Sequence, residues 1–160
     1  GRVAGAANRP AGLRRGVVLM TRHDVVRPRG VLVVDDNEPV RSLLGVALGA
    51  SGFAVWLAAS GPEGLAVYHE HAAAIDLLLL DVRMPGWDGP ATLAAIRAVA
   101  PHVPCCFMSG HTGEYTEREL LTLGAMVVFP KPFRFGELIP FVRNLTAPAR
   151  GEVDEAAALA

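Results

Sequence analysis

The run Leu77-Leu78-Leu79-Leu80, led by Ile75 and ended by Asp81, restricts the fold of this chain more than any other stretch. Four successive leucines leave no polar face, so a strand built from them is buried on both sides. A second run of this kind, Val31-Leu32-Val33-Val34, ends in Asp35-Asp36. Strands apolar throughout belong to parallel sheets covered by helices on both faces. In such sheets ligands and chemistry collect at the carboxyl ends of the strands. Asp81, followed by a loop rich in Pro and Gly, is therefore the first candidate for a reacting group.

The rest of the pattern supplies the helices. After Asp35-Asp36 either Asp36 or Asn37 can cap a helix, Pro39 suits its first turn, and Val40, Leu43, Leu44, Ala47 and Leu48 recur at helical spacing. Gly49 to Gly52 ends it, and Phe53 to Leu57 reads as a short strand. Ser60-Gly61-Pro62-Glu63 has the spacing of a capping box for a helix reaching about His71. Gly89-Pro90 opens a third helix bearing Leu93, Ile96 and Ala100. Pro101 and Pro104 close it before the strand Cys105 to Met108, which ends at Ser109-Gly110. A weaker helix from about Glu114 to Leu123 is stopped by Gly124. Met126 to Phe129 forms the fifth strand and runs into Pro130-Lys131-Pro132. The last helix carries Phe135, Leu138, Ile139, Val142 and Leu145, with Pro140 expected to kink it. Strand and helix thus alternate, which predicts one α/β domain over residues 30–145, a doubly wound five-stranded parallel sheet.

Composition removes several alternatives. A hydrophobic content of 51% with 19% charged residues excludes a mainly disordered chain. A formal net charge of −1 gives no overall electrostatic case for nucleic acid or a membrane surface. No apolar run approaches the roughly 20 residues of a spanning helix. Cys105 and Cys106 are adjacent on a strand and point to opposite faces, so they read as reduced core residues, in keeping with a cytoplasmic protein. Residues 1–29 set Arg2, Arg9, Arg14, Arg15, Arg22, Arg27 and Arg29 against the single acid Asp24. They read as a basic, disordered extension, either a solvated leader or an arm for nucleic acid or anionic lipid. Residues 146–160 read as a C-terminal tail or the start of a linker. His69 and His71, two apart on a helix, do not share a face and make no metal site. Trp87 is either exposed for a partner or packed.

The strand ends carry the chemistry. They present Asp35 and Asp36, then Asp81, Ser109 and Lys131. Singly, an Asp after a strand is a turn or cap residue, Ser109-Gly110 a turn, and Lys131 a solvated charge. At successive strand ends they can converge on one crevice. Three close carboxylates repel one another unless a cation sits among them, and a hard divalent ion such as Mg²⁺ meets that need with oxygen ligands. A carboxylate can attack phosphorus to form an acyl phosphate. Lys131 would neutralise the phosphoryl charge and the Ser109 hydroxyl could bond one of its oxygens.

Four motifs, Val33-Val34-Asp35-Asp36-Asn37-Glu38, Leu80-Asp81-Val82-Arg83-Met84-Pro85-Gly86-Trp87-Asp88-Gly89, Met108-Ser109-Gly110-His111 and Pro130-Lys131-Pro132-Phe133, stand in the order of a known family. From Val31 to Leu145 the chain resembles a receiver domain of two-component response regulators. The resemblance implies a flavodoxin-like strand order 2-1-3-4-5. It implies that Asp81 takes a phosphoryl group from a phosphohistidine on a sensor histidine kinase or phosphotransfer protein. It places Mg²⁺ on Asp35, Asp36, Asp81 and the backbone carbonyl of Arg83, and Lys131 on the phosphate. Ser109 would move toward the phosphate as the first step of switching, and a cis Lys131–Pro132 bond would aim the ammonium into the site. The face of the fourth helix, fifth strand and fifth helix would then change its affinity for an output domain or protein, or for a second copy. Such a domain catalyses only its own phosphotransfer and dephosphorylation, and does not itself bind nucleic acid or membrane.

The chain departs from the family at three places. Val128 stands where an aromatic switch residue is usual, three positions before Lys131, and Phe129 should face the other way. Arg83, two residues after Asp81, could compete with Mg²⁺, pair with an acid or shield the acyl phosphate from water; slower or altered dephosphorylation is expected. His111, two residues after Ser109, is a further tuning position. Two alternatives accompany the switch: a receiver-like interaction module indifferent to phosphate, suggested by Val128, and a phosphatase with an aspartyl-phosphate intermediate. The latter would need a second acid at the position of Arg83.

Overall fold

The computed structural model describes residues 27–110 and 114–147. Ten elements alternate: β1 (Gly30–Val34), α1 (Glu38–Ala50), β2 (Ala54–Ala58), α2 (Gly61–His71), β3 (Leu77–Asp81), α3 (Gly89–Arg97), β4 (Cys105–Ser109), α4 (Glu117–Thr122), β5 (Val128–Pro130) and α5 (Phe135–Leu145). The strands form one sheet in the order β2-β1-β3-β4-β5, parallel throughout. This is the doubly wound, flavodoxin-like architecture expected from the sequence. The expected basic extension lies outside the described residues except for Arg27, Pro28 and Arg29, and His111 and the segment 148–160 lie outside them too.

Side-chain alternation divides the core into two layers. Leu32, Val34, Leu78, Leu80, Cys105 and Phe107 face α2, α3 and α4, where Tyr68, Leu93, Ile96 and Leu120 meet them. Val31, Val33, Leu77, Leu79, Cys106 and Met108 face α1 and α5, meeting Leu44, Leu48, Leu138 and Val142. All six residues of each strand set are fully buried, as strands covered on both faces require. The two cysteines fall in different layers and both are free thiols.

Local details refine the sequence reading. Asn37, not Asp36, caps α1, its side chain accepting from Val40 N. Ser60 caps α2 by accepting from Glu63 N, but Glu63 reaches back to Ala59 N, so the reciprocal box expected there is not formed. The reciprocal box occurs at Thr116 and Glu119 instead. It fixes the start of α4 three residues later than the expected Glu114. β2 begins at Ala54 because Phe53 N is drawn to Leu48 O, closing the end of α1. β5 begins at Val128, although Met126 N already bonds Cys105 O. α5 runs through Pro140 as one helix.

Register sets up the site. Val34 pairs with both Ala58 and Leu80, so Asp35 and Asp81 leave neighbouring strands at the same level. Ser109 pairs with Pro130, and Lys131 N donates to Ser109 O at 2.9 Å. Gly89 brings α3 against the end of β3: a Cβ there would lie 2.5 Å from Asp81 O, too close without a backbone shift.

Candidate functional site

At the carboxyl edge of the sheet, Asp35 is fully buried and Asp81 is 6% exposed, while Asp36 stands at the surface. One carboxylate oxygen from each of the three lies within 4.8 Å of the others. Lys131 reaches across from the end of β5, its Nζ 2.6 Å from Asp35 Oδ2 and 3.2 Å from Asp81 Oδ1. The Lys131–Pro132 peptide is cis. The other Asp35 oxygen accepts from Asn37 N at 2.8 Å, so the α1 cap and the acidic corner are one structure.

The electrostatics follow from this crowding. Burial, and then the charge of Asp35, push the Asp81 carboxyl up to about 6, against the opposing pull of Lys131 and the Arg83 backbone N–H. Burial works against the charge on Lys131, but its hydrogen bond to Asp35 and the charges of both acids outweigh that, and its pKa rises. The ammonium therefore remains charged beside a carboxylate that is poorly satisfied in the absence of another cation.

A cleft of about 240 Å³ opens beside this cluster, lined by Asp81, Val82, Arg83, Ser109, Gly110 and Lys131. The Ser109 hydroxyl is buried and has no hydrogen-bond partner among the described residues, an arrangement that leaves a donor free for an incoming acceptor. Arg83 is exposed and makes no ion pair among the described residues. The acid pairing considered for it from sequence is therefore not formed there. The three carboxylates make a donor set of oxygen alone, which fits a hard divalent cation.

Val128 and Phe129 face opposite layers, as their order in the strand requires. Phe129 packs edge-on to Phe141 of α5, ring centroids 5.6 Å apart, and turns away from the layer that holds Val128. Trp87 is 38% exposed, yet a Cβ on Gly61 would come within 2.7 Å of its Cβ, so the residue is packed at its base and open at its rim. Two residues near the site were not singled out from sequence. Asp88 caps α3 by accepting from Ala91 N at 2.8 Å, and Tyr115 donates its hydroxyl to the other Asp88 oxygen, also at 2.8 Å. Asp88-Gly89-Pro90 carries the cap signal; nothing local to Tyr115 points to Asp88.

Comparison with known proteins agrees with this arrangement. The family model for the response regulator receiver domain matches residues 31–143. The sensor kinase CckA of Brucella abortus is 34% identical over 115 residues, which is 72% of this chain and 12% of that protein. The transcriptional regulatory protein ZraR of Salmonella typhimurium is 39% identical over 120 residues, 75% of this chain and 27% of the relative. The chain thus spans between about a tenth and a quarter of these two curated relatives. Among solved structures, the receiver domain of the hybrid histidine kinase CckA is 35% identical, with a TM-score of 0.62, covering 74% of this chain and 99% of that one. The crystallised CheX–CheY–BeF3–Mg complex of Borrelia burgdorferi is 27% identical, with a TM-score of 0.69 over 76% of this chain and 91% of the other. Sheet order, acidic corner and family match agree, and the chain belongs to the response regulator receiver domains of two-component systems.

Proposed function

We propose that this receiver domain is a phosphoacceptor switch in which Asp81 takes a phosphoryl group from a phosphohistidine of a sensor histidine kinase or phosphotransfer protein. An Asp81 oxygen attacks phosphorus, the P–N bond breaks, and its electron pair returns to the imidazole, which takes up a proton. The observation that carries this reading is the cleft itself: Asp81, the charged Lys131 and the Ser109 hydroxyl, which has no partner among the described residues, converge on one space. Asp35, Asp36, Asp81 and the Arg83 carbonyl are the proposed Mg²⁺ ligands; when bound, the ion neutralises charge on the transferring phosphoryl. Lys131 remains to pair with the phosphoryl oxygens, and Ser109 turns its hydroxyl toward one of them. That the Borrelia CheY relative was crystallised with BeF3 and Mg supports the same ligand chemistry here.

The working unit is residues 30–145, flanked by 1–29 and 146–160. Its signal passes to an output domain or protein through the face of α4, β5 and α5, where Leu121, Leu123 and Met126 are exposed and a second copy could also dock. No helix among the described residues is long and apolar enough to cross a membrane, and a kinase partner of this kind implies a cytoplasmic location. The domain acts on no external metabolite; transfer to Asp81 and hydrolysis of the acyl phosphate are its own reactions.

Incubation with acetyl phosphate and Mg²⁺ is expected to add the mass of one phosphoryl group, and the Asp81→Asn variant to gain none. A wild-type chain that gains no mass and binds no Mg²⁺ would leave only the phosphate-indifferent interaction module. The exposed Arg83 guanidinium beside the cleft is expected to screen the acyl phosphate from water. An Arg83→Asn variant should lose its phosphoryl group several-fold faster in an intact-mass time course; an unchanged lifetime removes that role.

A further inference from the structure

Two loops leave the sheet beside Asp81. One, residues 82–88, follows β3; the other follows Ser109 and leads to α4. Between them lies a cleft of about 440 Å³ whose walls include Arg83, Met84, Asp88, Glu114 and Tyr115. Among the described residues one hydrogen bond joins these loops, from Tyr115 Oη to Asp88 Oδ2 at 2.8 Å. Both ends of that bond are anchored. Asp88 is held as the α3 cap by Ala91 N, and its carbonyl accepts from the Thr92 hydroxyl, a fully buried side chain. Tyr115 is half-buried against the layer that contains Leu120 and Val128, and the next residue, Thr116, opens α4 through its capping box with Glu119.

We propose that Tyr115 and Asp88 form a positioning pair that holds the start of α4 in the unphosphorylated arrangement, and that this bond is given up on phosphorylation. The proposal rests on the phosphoacceptor reading of Asp81. Ser109 precedes Tyr115 by six positions, and its hydroxyl, without a hydrogen-bond partner among the described residues, belongs to a residue lining the Asp81 cleft. Drawing that hydroxyl onto a phosphoryl oxygen displaces Ser109, close in the chain to Tyr115, while the phenol is held to a residue fixed on α3. Because α4 begins one residue after Thr116, release of the phenol is carried straight into the first turn of that helix.

Tyr115→Phe removes the hydrogen bond and keeps the ring. Asp88→Ser keeps an N-cap acceptor for α3 and removes the oxygen that Tyr115 binds. Hydrogen exchange over residues 114–122 is followed with and without beryllofluoride and Mg²⁺, alongside the rate of phosphorylation by acetyl phosphate. In the wild type the adduct is expected to speed exchange in this segment roughly fivefold or more, the scale of losing one side-chain hydrogen bond. Each variant should show that faster exchange already without the adduct, and should be phosphorylated roughly two- to fivefold faster because the bond no longer opposes the active arrangement. The double variant should add nothing to either single one. A merely structural bond would lower thermal stability and leave the phosphorylation rate alone. Wild-type exchange over 114–122 in both variants, with normal adduct formation, overturns the positioning pair while Asp81 remains the acceptor. No adduct on the wild type overturns both.

Discussion

Asp81→Asn is expected to stabilise the metal-free domain by about 2–3 kcal/mol at pH 7.5, while abolishing phosphorylation. The carboxyl titrates at about 6 in the fold against an ordinary 3.8. A displacement of about two units corresponds to roughly 3 kcal/mol, at about 1.4 kcal/mol per unit. The sign follows from the direction. A raised value means the fold prefers the protonated acid, so the associated stability is complete below pH 3.8 and is lost as pH rises through about 6. Wild-type protein at pH 7.5 therefore carries the full penalty of an ionised Asp81 beside Asp35. Asparagine carries none of it, but forgoes part of the attraction to Lys131, which trims the gain. Urea titrations in EDTA would show the variant ahead at pH 7.5, by on the order of 10 °C if measured as Tm, with the gap closing below pH 4. Mg²⁺ should also narrow the gap, because it relieves in the wild type the repulsion that asparagine removes. A variant less stable than wild type at pH 7.5, or a gap indifferent to pH, would count against the strained acidic corner.

The features behind this prediction were unequally visible in the sequence. Leu77 to Leu80 and Val31 to Val34 announce doubly buried strands because no spacing of polar residues interrupts them, whereas the sheet order came from the resemblance to the receiver family, since strand–helix alternation leaves the order open. The strand-end residues Asp35, Asp81, Ser109 and Lys131 were legible as a set for the same reason: strand termini in a parallel sheet share one edge. Caps were only half legible. Ser60-x-x-Glu63 and Thr116-x-x-Glu119 have the same spacing, yet only the second closes reciprocally, since Glu63 finds the Ala59 amide instead. Which nearby N–H a glutamate reaches depends on how the chain enters the helix, and local sequence does not specify that. The Tyr115–Asp88 bond was not legible at all, because it joins residues 27 apart through loop geometry alone. Arg83 was a candidate for an acid pair, but its exposed position provides no such partner among the described residues.

Lys131→Met should move stability the other way, destabilising the metal-free domain by about 3–5 kcal/mol, the usual consequence of stripping one partner from a buried ion pair. Asp35 has no exposed surface, and its Oδ2 accepts from Lys131 at 2.6 Å. Without the ammonium that carboxylate keeps the Asn37 amide and loses its charged partner, while Asp81 still repels it. For a domain whose whole stability is of the order of 5–15 kcal/mol, such a loss brings unfolding within reach of modest urea. Methionine fills similar volume, so little of the loss would come from packing. Divalent cation should rescue this variant more than the wild type, since the ion supplies positive charge to acids that have lost their own. Thermal melts across a Mg²⁺ series would show a steeper rise of Tm for Lys131→Met than for the wild type, and a shallower one for Asp81→Asn. The double variant should fall between the two single ones, because removing Asp81 removes the repulsion that makes the missing ammonium costly. If Lys131→Met proved neutral, the desolvation of Lys131 would have cancelled its attraction to both acids, and the ammonium would matter only to the phosphorylated state.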